Sequence, residues 1–135
     1  MIHVGFKFFS FFIFIVTQIL NAEELKDIKV IDLSSEMSIP QCAQRELEKK
    51  ILYLGSKYCS HCKKAQPVIE KIIKELDFSK IYKSFDLSDS NDSIAVQKYK
   101  IHVLYTPTLI VDCKVYIGDK PESEFKKIIS AFKKI

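Results

Sequence analysis

Tryptophan is absent from the 135 residues, arginine occurs once (Arg45), and there are only three glycines and four prolines. A chain this poor in Gly and Pro, with 47% apolar residues, is neither collagen-like nor linker-like and lacks the composition of a disordered segment. No internal repeat and no low-complexity tract is visible. A strong charge of one sign is missing too. The formal net charge of +4 favours solubility and does not by itself indicate a nucleic-acid partner. The excess of lysine over arginine says nothing of chemistry. Four cysteines are too few for a disulfide scaffold and too many to ignore.

Aromatic residues are unevenly spread: Phe6, Phe8, Phe9, Phe11, Phe12 and Phe14 crowd the start of the chain. Lys7 is followed by an apolar run over 8–20, broken only by Ser10, Thr17 and Gln18, and then by Leu20-Asn21-Ala22 and the acidic pair Glu23-Glu24. A charged start, a short greasy stretch and a small residue before an acidic opening match a secretory signal peptide. The run is short for a membrane span of roughly 20 residues, and no Cys follows it to make a lipoprotein. Residues 1–22 are therefore expected to be a signal peptide, with an uncleaved anchor as the alternative. Residues 23–135 are expected to form one domain, exported to a periplasm or secreted, with no stable membrane span after cleavage. No Lys-Asp-Glu-Leu type retention signal ends the chain.

Along that domain the apolar bias over 28–33 predicts a strand. Ser38 and Pro40 predict a helix entrance leading through Cys42 to about Lys49. Ile51-Leu52-Tyr53-Leu54, ending at Gly55, suits a strand buried on both faces. Ala65, Val68, Ile69, Ile72, Ile73 and Leu76 recur at helical spacing, with Pro67 expected to bend that helix. A strand over 80–87 and a short helix after the cap chemistry of 88–92 follow. Two strands, 109–111 and 115–117, make a hairpin around Asp112-Cys113-Lys114, although no glycine marks the turn. Asp119 and Pro121 open a last helix whose apolar face is Phe125, Ile128, Ile129 and Phe132. Alternation of strands and helices followed by a hairpin calls for an α/β fold of three layers, a central mixed sheet with helices on both faces.

Chemistry concentrates at Tyr58-Cys59-Ser60-His61-Cys62, between the buried strand and the long helix. The first Cys of such a pair can lie where unpaired backbone N–H groups and the positive helix end favour a thiolate, which makes it a competent nucleophile. Cys62, one turn deeper, is placed to attack the resulting mixed disulfide. An imidazolium at His61 would favour the thiolate further. Lys57, Lys63 and Lys64 add positive charge, though long lysines are often simply solvated. Zinc sites share the C-x-x-C spacing but need a second ligand pair. Cys42 and Cys113 stand alone, 17 and 51 residues from the nearest motif cysteine, so no metal and no other cofactor is expected. A structural disulfide between Cys59 and Cys62 would close a very small loop and gain little.

Tyr105-Thr106-Pro107-Thr108 stands directly before the strand at 109, where a proline is an ordinary starter. Together with Cys59-Ser60-His61-Cys62 at a strand–helix junction, Pro67, the hairpin with Gly118 and the final amphipathic helix, it makes the chain from 28 to 135 resemble the thioredoxin family. The resemblance implies a cis Pro107 against the catalytic disulfide and a substrate peptide pairing with the backbone of Thr106. Thr106, and His61 before the second Cys, look more like Dsb isomerase-type and protein disulfide isomerase-type domains than cytosolic thioredoxin. Two departures stand out. Tyr53 occupies the place of the family's buried carboxylate, six residues before the first Cys, so deprotonation of Cys62 would need water, a lysine or another acid. Tyr58 replaces the usual Trp. Both put efficient thioredoxin-like reduction in doubt while leaving thiol exchange open.

On the family layout Cys42 and Cys113 fall toward the sheet end away from the active site, where they either pair or stay as buried apolar side chains. His102 is expected in a loop rather than as a proton shuttle. The implied activity is an exported thiol–disulfide oxidoreductase, reductant or isomerase, with Cys59 and Cys62 catalytic, Tyr58, Ser60 and His61 tuning, and Thr106 and Pro107 binding substrate. Its partners would be protein thiols and disulfides and a redox protein that recycles the pair. It would act as a monomer. The alternative is a non-enzymatic binding or chaperone module using the groove near Thr106-Pro107.

Overall fold

The computed structural model describes residues 28–134. The expected signal peptide lies outside the described residues. Among the described residues no helix is long and apolar enough to cross a membrane.

The elements are β1 (Ile31–Leu33), β2 (Met37–Ser38), β3 (Ile51–Gly55), α1 (Ser60–Glu75), β4 (Tyr82–Asp86), α2 (Ser90–Gln97), β5 (Ile101–Val103), β6 (Thr108–Val111), β7 (Lys114–Ile117) and α3 (Glu122–Ser130), with a 3-10 turn at Ala131–Lys134. Five strands form a mixed sheet in the order β2-β7-β6-β3-β4, while β1 and β5 pair in parallel beside it. His102 is thus in a strand rather than a loop, its Nδ1 3.0 Å from Asp32 Oδ1 on β1, and exposed. The pairing of β1 with β5 gives those three backbone units partners that a loop would have left to water.

β3 is buried along its whole length, and the period-2 alternation of a strand divides it between two cores. Leu52 and Leu54 join Ile110 from β6, Val96 and Tyr99 from the α2 side, and Leu47 and Ile39. Ile51 and Tyr53 face the opposite way, onto Ala65, Ile69, Ile72 and Ile73 of α1 and Phe125 and Ile129 of α3. The expected three-layer α/β arrangement is present, with α1 and α3 on one face of the sheet and α2 on the other. α1 runs on through Pro67. The carbonyl left without a partner is that of exposed Lys63, where water can reach it. α3 starts at Glu122 with Pro121 at its N-cap and no side-chain cap, so Asp119 does not open it.

The helix expected from Pro40 to about Lys49 does not form. Residues 40–46 make successive turns instead, with Gln41 and Glu46 at φ 53° and 61°, left-handed values that break an α-helix. Two long-range ties hold the segment in that shape. One is the disulfide Cys42–Cys113, Cα–Cα 5.8 Å, across a sequence separation of 71. The other is Arg45, only 2% exposed. Its guanidinium donates to the carbonyls of Pro40 (2.8 Å), Lys29 (2.8 Å) and Lys100 (2.6 Å). Burial lowers its pKa from the ordinary value, yet a guanidinium stays charged at any physiological pH. The lone arginine therefore stitches three separate backbone segments together through their own acceptors.

Cys113 sits at the far end of β6 from Thr106. The hairpin turn is Asp112-Cys113, both at positive φ (43° and 73°), as a two-residue turn of the twist-matched type demands. Asp112 Oδ1 accepts from the Lys49 amide (2.9 Å), and the Cys113 carbonyl accepts from Ile39 N–H (2.7 Å). Those ties, with the disulfide, hold residues that would otherwise avoid this conformation.

Replacing Arg45 by Met is expected to lower the unfolding free energy by about 2–4 kcal/mol, since three charge-assisted bonds to part-buried carbonyls are lost. Arg45→Lys should recover less than half, because one ammonium cannot serve three directions. Urea denaturation followed by tyrosine fluorescence measures both. Replacing Cys42 and Cys113 together by Ala is expected to cost about 2–4 kcal/mol by the same measurement.

Candidate active site

The site is assembled by strand register. β3 and β6 are antiparallel, with Leu54 opposite Thr108. The chain leaving β3 and the chain entering β6 therefore emerge at the same end of the sheet. That brings Cys59 Sγ to 3.5 Å from the Thr106 carbonyl oxygen, 47 residues away in sequence. The Thr106–Pro107 peptide is cis. Pro107 is buried, and its carbonyl accepts from Gly118 N–H at 2.8 Å. Thr108 Oγ1 donates to Tyr105 O at 2.6 Å and closes the turn before β6.

After Gly55 the chain makes a short loop secured from both sides. Ser56 accepts twice, at Oγ from Tyr58 N–H (3.2 Å) and at its carbonyl from Cys59 N–H (3.1 Å). Lys57 N–H donates to Asp86 Oδ1 at the end of β4 (3.3 Å). Hydrogen bonds from the Ser88 hydroxyl and amide, then from Lys57, hold the Asp86 carboxyl below its ordinary pKa. Neither Ser56 nor Asp86 was among the predicted site residues. Both lie at the ends of recognisable strands, but nothing in the sequence says which loop they tie.

Cys59 is the N-cap of α1, at φ −93° and ψ 115°. Its sulfur accepts from the Cys62 backbone N–H at 3.2 Å, the place an N-cap oxygen would take. Cys62 is 3% exposed and Cys59 is half-buried. The two are joined, with Cα atoms 5.2 Å apart. Ser60, His61, Lys63 and Lys64 are exposed on the first turn and a half of α1, and Tyr58 stands 80% exposed beside them. The structure thus brings Tyr58, Cys59, Cys62, Thr106 and Pro107 into one locus and sets Cys42 and Cys113 apart from it. Among the described residues no group of three His, Cys, Asp or Glu side chains is placed to hold a metal ion.

Behind Cys62 lies a cleft of about 350 Å³, lined by Tyr53, Gly55, Lys57, Gln66, Ser84 and Asp86. Tyr53 donates its hydroxyl to the Cys62 carbonyl (3.4 Å). Its ring lies over Gly55, where an added Cβ would come within 2.6 Å of the phenol oxygen. Burial, then the nearby charges of Glu70 and Asp119, push the Tyr53 pKa up to about 12. A neutral phenol donates a hydrogen bond and does not accept a proton from Cys62.

The mixed sheet, the helix that begins at a C-x-x-C pair and the cis-proline strand facing it decide the architecture. This is a thioredoxin-like fold. No protein-family profile matches the chain, and no curated protein does. Among solved structures it is similar to chloroplastic thioredoxin z, at 16% identity and a TM-score of 0.47, over 80% of this chain and 97% of that one.

Because the folded state raises the Tyr53 pKa from 10.0 to about 12, the neutral phenol contributes fully below pH 10.0. That contribution is lost as pH climbs through about 12. The tyrosinate absorbance that disappears in Tyr53→Phe should therefore rise only near pH 12, and Tyr53→Phe should flatten the loss of stability across that window.

Proposed function

We propose that this chain is an exported thiol–disulfide oxidoreductase that acts on proteins through Cys59 and Cys62, as a reductant or an isomerase. The observation that carries the reading is the Cys62 N–H aimed at the Cys59 sulfur at 3.2 Å. A donor there, at the positive end of a 16-residue helix, favours the thiolate over the thiol.

In the proposed cycle the Cys59 thiolate attacks one sulfur of a substrate disulfide. The substrate S–S bond breaks, a mixed disulfide with Cys59 forms, and the other substrate sulfur leaves as a thiolate that takes up a proton. Cys62 then loses its proton and attacks Cys59 Sγ, which forms the Cys59–Cys62 disulfide and releases the second substrate thiolate. Two electrons pass from the enzyme dithiol to the substrate, and a dithiol partner returns them. Without the second attack the mixed disulfide can rearrange the substrate's own pairing, which is isomerisation. The Thr106 backbone, 3.5 Å from Cys59 Sγ at its carbonyl, supplies main-chain groups beside the sulfur with which an extended substrate can pair. Export to a periplasm or the cell exterior is supported by the Cys42–Cys113 pair, since such bonds persist in oxidising compartments.

A binding or chaperone module is the second reading, favoured by the exposure of Tyr58, Leu104 and Tyr105 beside the groove. Cys62→Ala separates the two. The oxidoreductase traps substrates as mixed disulfides through Cys59 that reducing agent releases, whereas a binding module traps none and keeps its partners when Cys59 is Ser. Alkylation of Cys59 in the reduced Cys62→Ala protein should show half-maximal rate at least one pH unit below the ordinary thiol value of about 8.5.

A further inference from the structure

Five large apolar side chains stand exposed among the described residues, and three of them belong to the two loops that meet at Cys59: Tyr58 (80%), Tyr105 (56%) and Leu104 (44%). Tyr58 precedes Cys59 directly. Leu104 and Tyr105 lead into Thr106, whose carbonyl is 3.5 Å from Cys59 Sγ. An apolar cluster around a nucleophile marks an interaction surface rather than scattered exposure.

Lysines are concentrated on one side of this rim. Lys57, Lys63 and Lys64 are exposed there, and Lys57 Nζ sits 5.1 Å from the centre of the Tyr58 ring. Helix N-termini favour acidic residues. α2 begins with Asp92 and α3 with Glu122 and Glu124, but the first turn of α1 holds no acid. Asp86, at the end of β4, stays ionised beside Lys57, its carboxyl accepting from Ser88 and the Lys57 amide, so the lysine side of the rim rests on Lys63 and Lys64 of α1. A further acid, Asp119, follows Gly118, which donates to the Pro107 carbonyl, and its charge reaches Tyr53.

We infer that the substrates are acidic protein segments, extended chains in which Asp or Glu flanks the disulfide-bonded cysteine and lies along the lysine side of Cys59, packed on the Tyr58–Tyr105 rim. The inference rests on the oxidoreductase reading above and names the substrate class of that same site. Attraction of this kind acts mainly on the rate of encounter and is screened by salt. The chemistry is unchanged: the reduced Cys59/Cys62 pair supplies both electrons.

The test uses the reduced full chain and two disulfide-linked peptides of equal length, one with Glu and one with Lys on either side of the cysteine. At an ionic strength of about 0.01 M, where screening extends over ~30 Å, the acidic peptide should be reduced about tenfold faster. At about 1 M the two rates should converge. Lys63→Glu with Lys64→Glu should bring the low-salt ratio of the two rates to about one or invert it. The ratio cancels any change in the reactivity of Cys59 itself, and acids at a helix N-terminus do not threaten folding. Tyr58→Ser with Tyr105→Ser should slow both peptides several-fold. Equal rates at low salt, a preference for the basic peptide, a ratio unmoved by salt or by charge reversal, or no effect of removing the tyrosines overturns the inference. A small neutral disulfide, hydroxyethyl disulfide, separates the two levels. If it is reduced while the peptides are not distinguished, only the acidic-substrate inference fails. If it is not reduced at all, the oxidoreductase reading fails and takes this inference with it.

Discussion

The antiparallel register of β3 against β6 is the constraint on which the site depends. Leu54 faces Thr108 across that ladder, and from this single alignment the two active loops inherit their positions. A slip of one residue would turn Leu52 and Leu54 away from one core and Ile51 and Tyr53 away from the other. Both faces of β3 are buried, so neither core tolerates it. The hydrophobic effect fixes the register, and the register places the Thr106 carbonyl beside a sulfur it could not otherwise meet. Specific hydrogen bonds then refine what packing has aligned: Ser56 and Asp86 on the cysteine loop, Gly118 on Pro107, and Thr108 on Tyr105.

The two cysteine pairs sit at opposite ends of this framework. Cys59 and Cys62 occupy the end where a helix begins and backbone donors are free. Cys42 and Cys113 occupy the hairpin end, where Asp112 and Cys113 adopt left-handed backbone. Arg45 ties the 40–50 segment to the carbonyls of Lys29 and Lys100, and Asp112 accepts from its Lys49 amide. The hairpin end is therefore covalently and polarly locked, while Tyr58 and Tyr105 stand exposed at the other.

What could be read in the sequence were the features set by near neighbours. The continuous run 51–54 announced a strand buried on both faces, the three-four spacing from Ala65 to Leu76 announced α1, and the C-x-x-C fell at the junction between them. The hairpin was legible without a glycine, although its two-residue turn was not. What could not be read is set by partners far along the chain. Pro40 and Ser38 have the local look of a helix start, but Cys113 and the carbonyls of Lys29 and Lys100 claim Cys42 and Arg45 for another shape. The excess of lysine over arginine says nothing of chemistry, yet the one arginine is a buried clamp. Three-residue strands such as β1 and β5 carry too little pattern to announce that they pair.

Tyr53 shows how one departure from a family pattern propagates. Its ring needs the space over Gly55, so the two residues form a unit on one face of β3. A buried carboxylate in that place would hold charge beside Cys62; the phenol, with its pKa pushed up to about 12, holds none. In the proposed cycle the first attack, by Cys59, has its electrostatic help built in through the helix end. The second, by Cys62, must pass its proton into the cleft shared with Lys57 and Asp86. An exchange that starts readily and resolves slowly prolongs the mixed disulfide, and a long-lived mixed disulfide gives a substrate time to try another pairing. On the oxidoreductase reading proposed above, that asymmetry, built from one aromatic side chain on the central strand, would favour isomerisation over rapid net reduction.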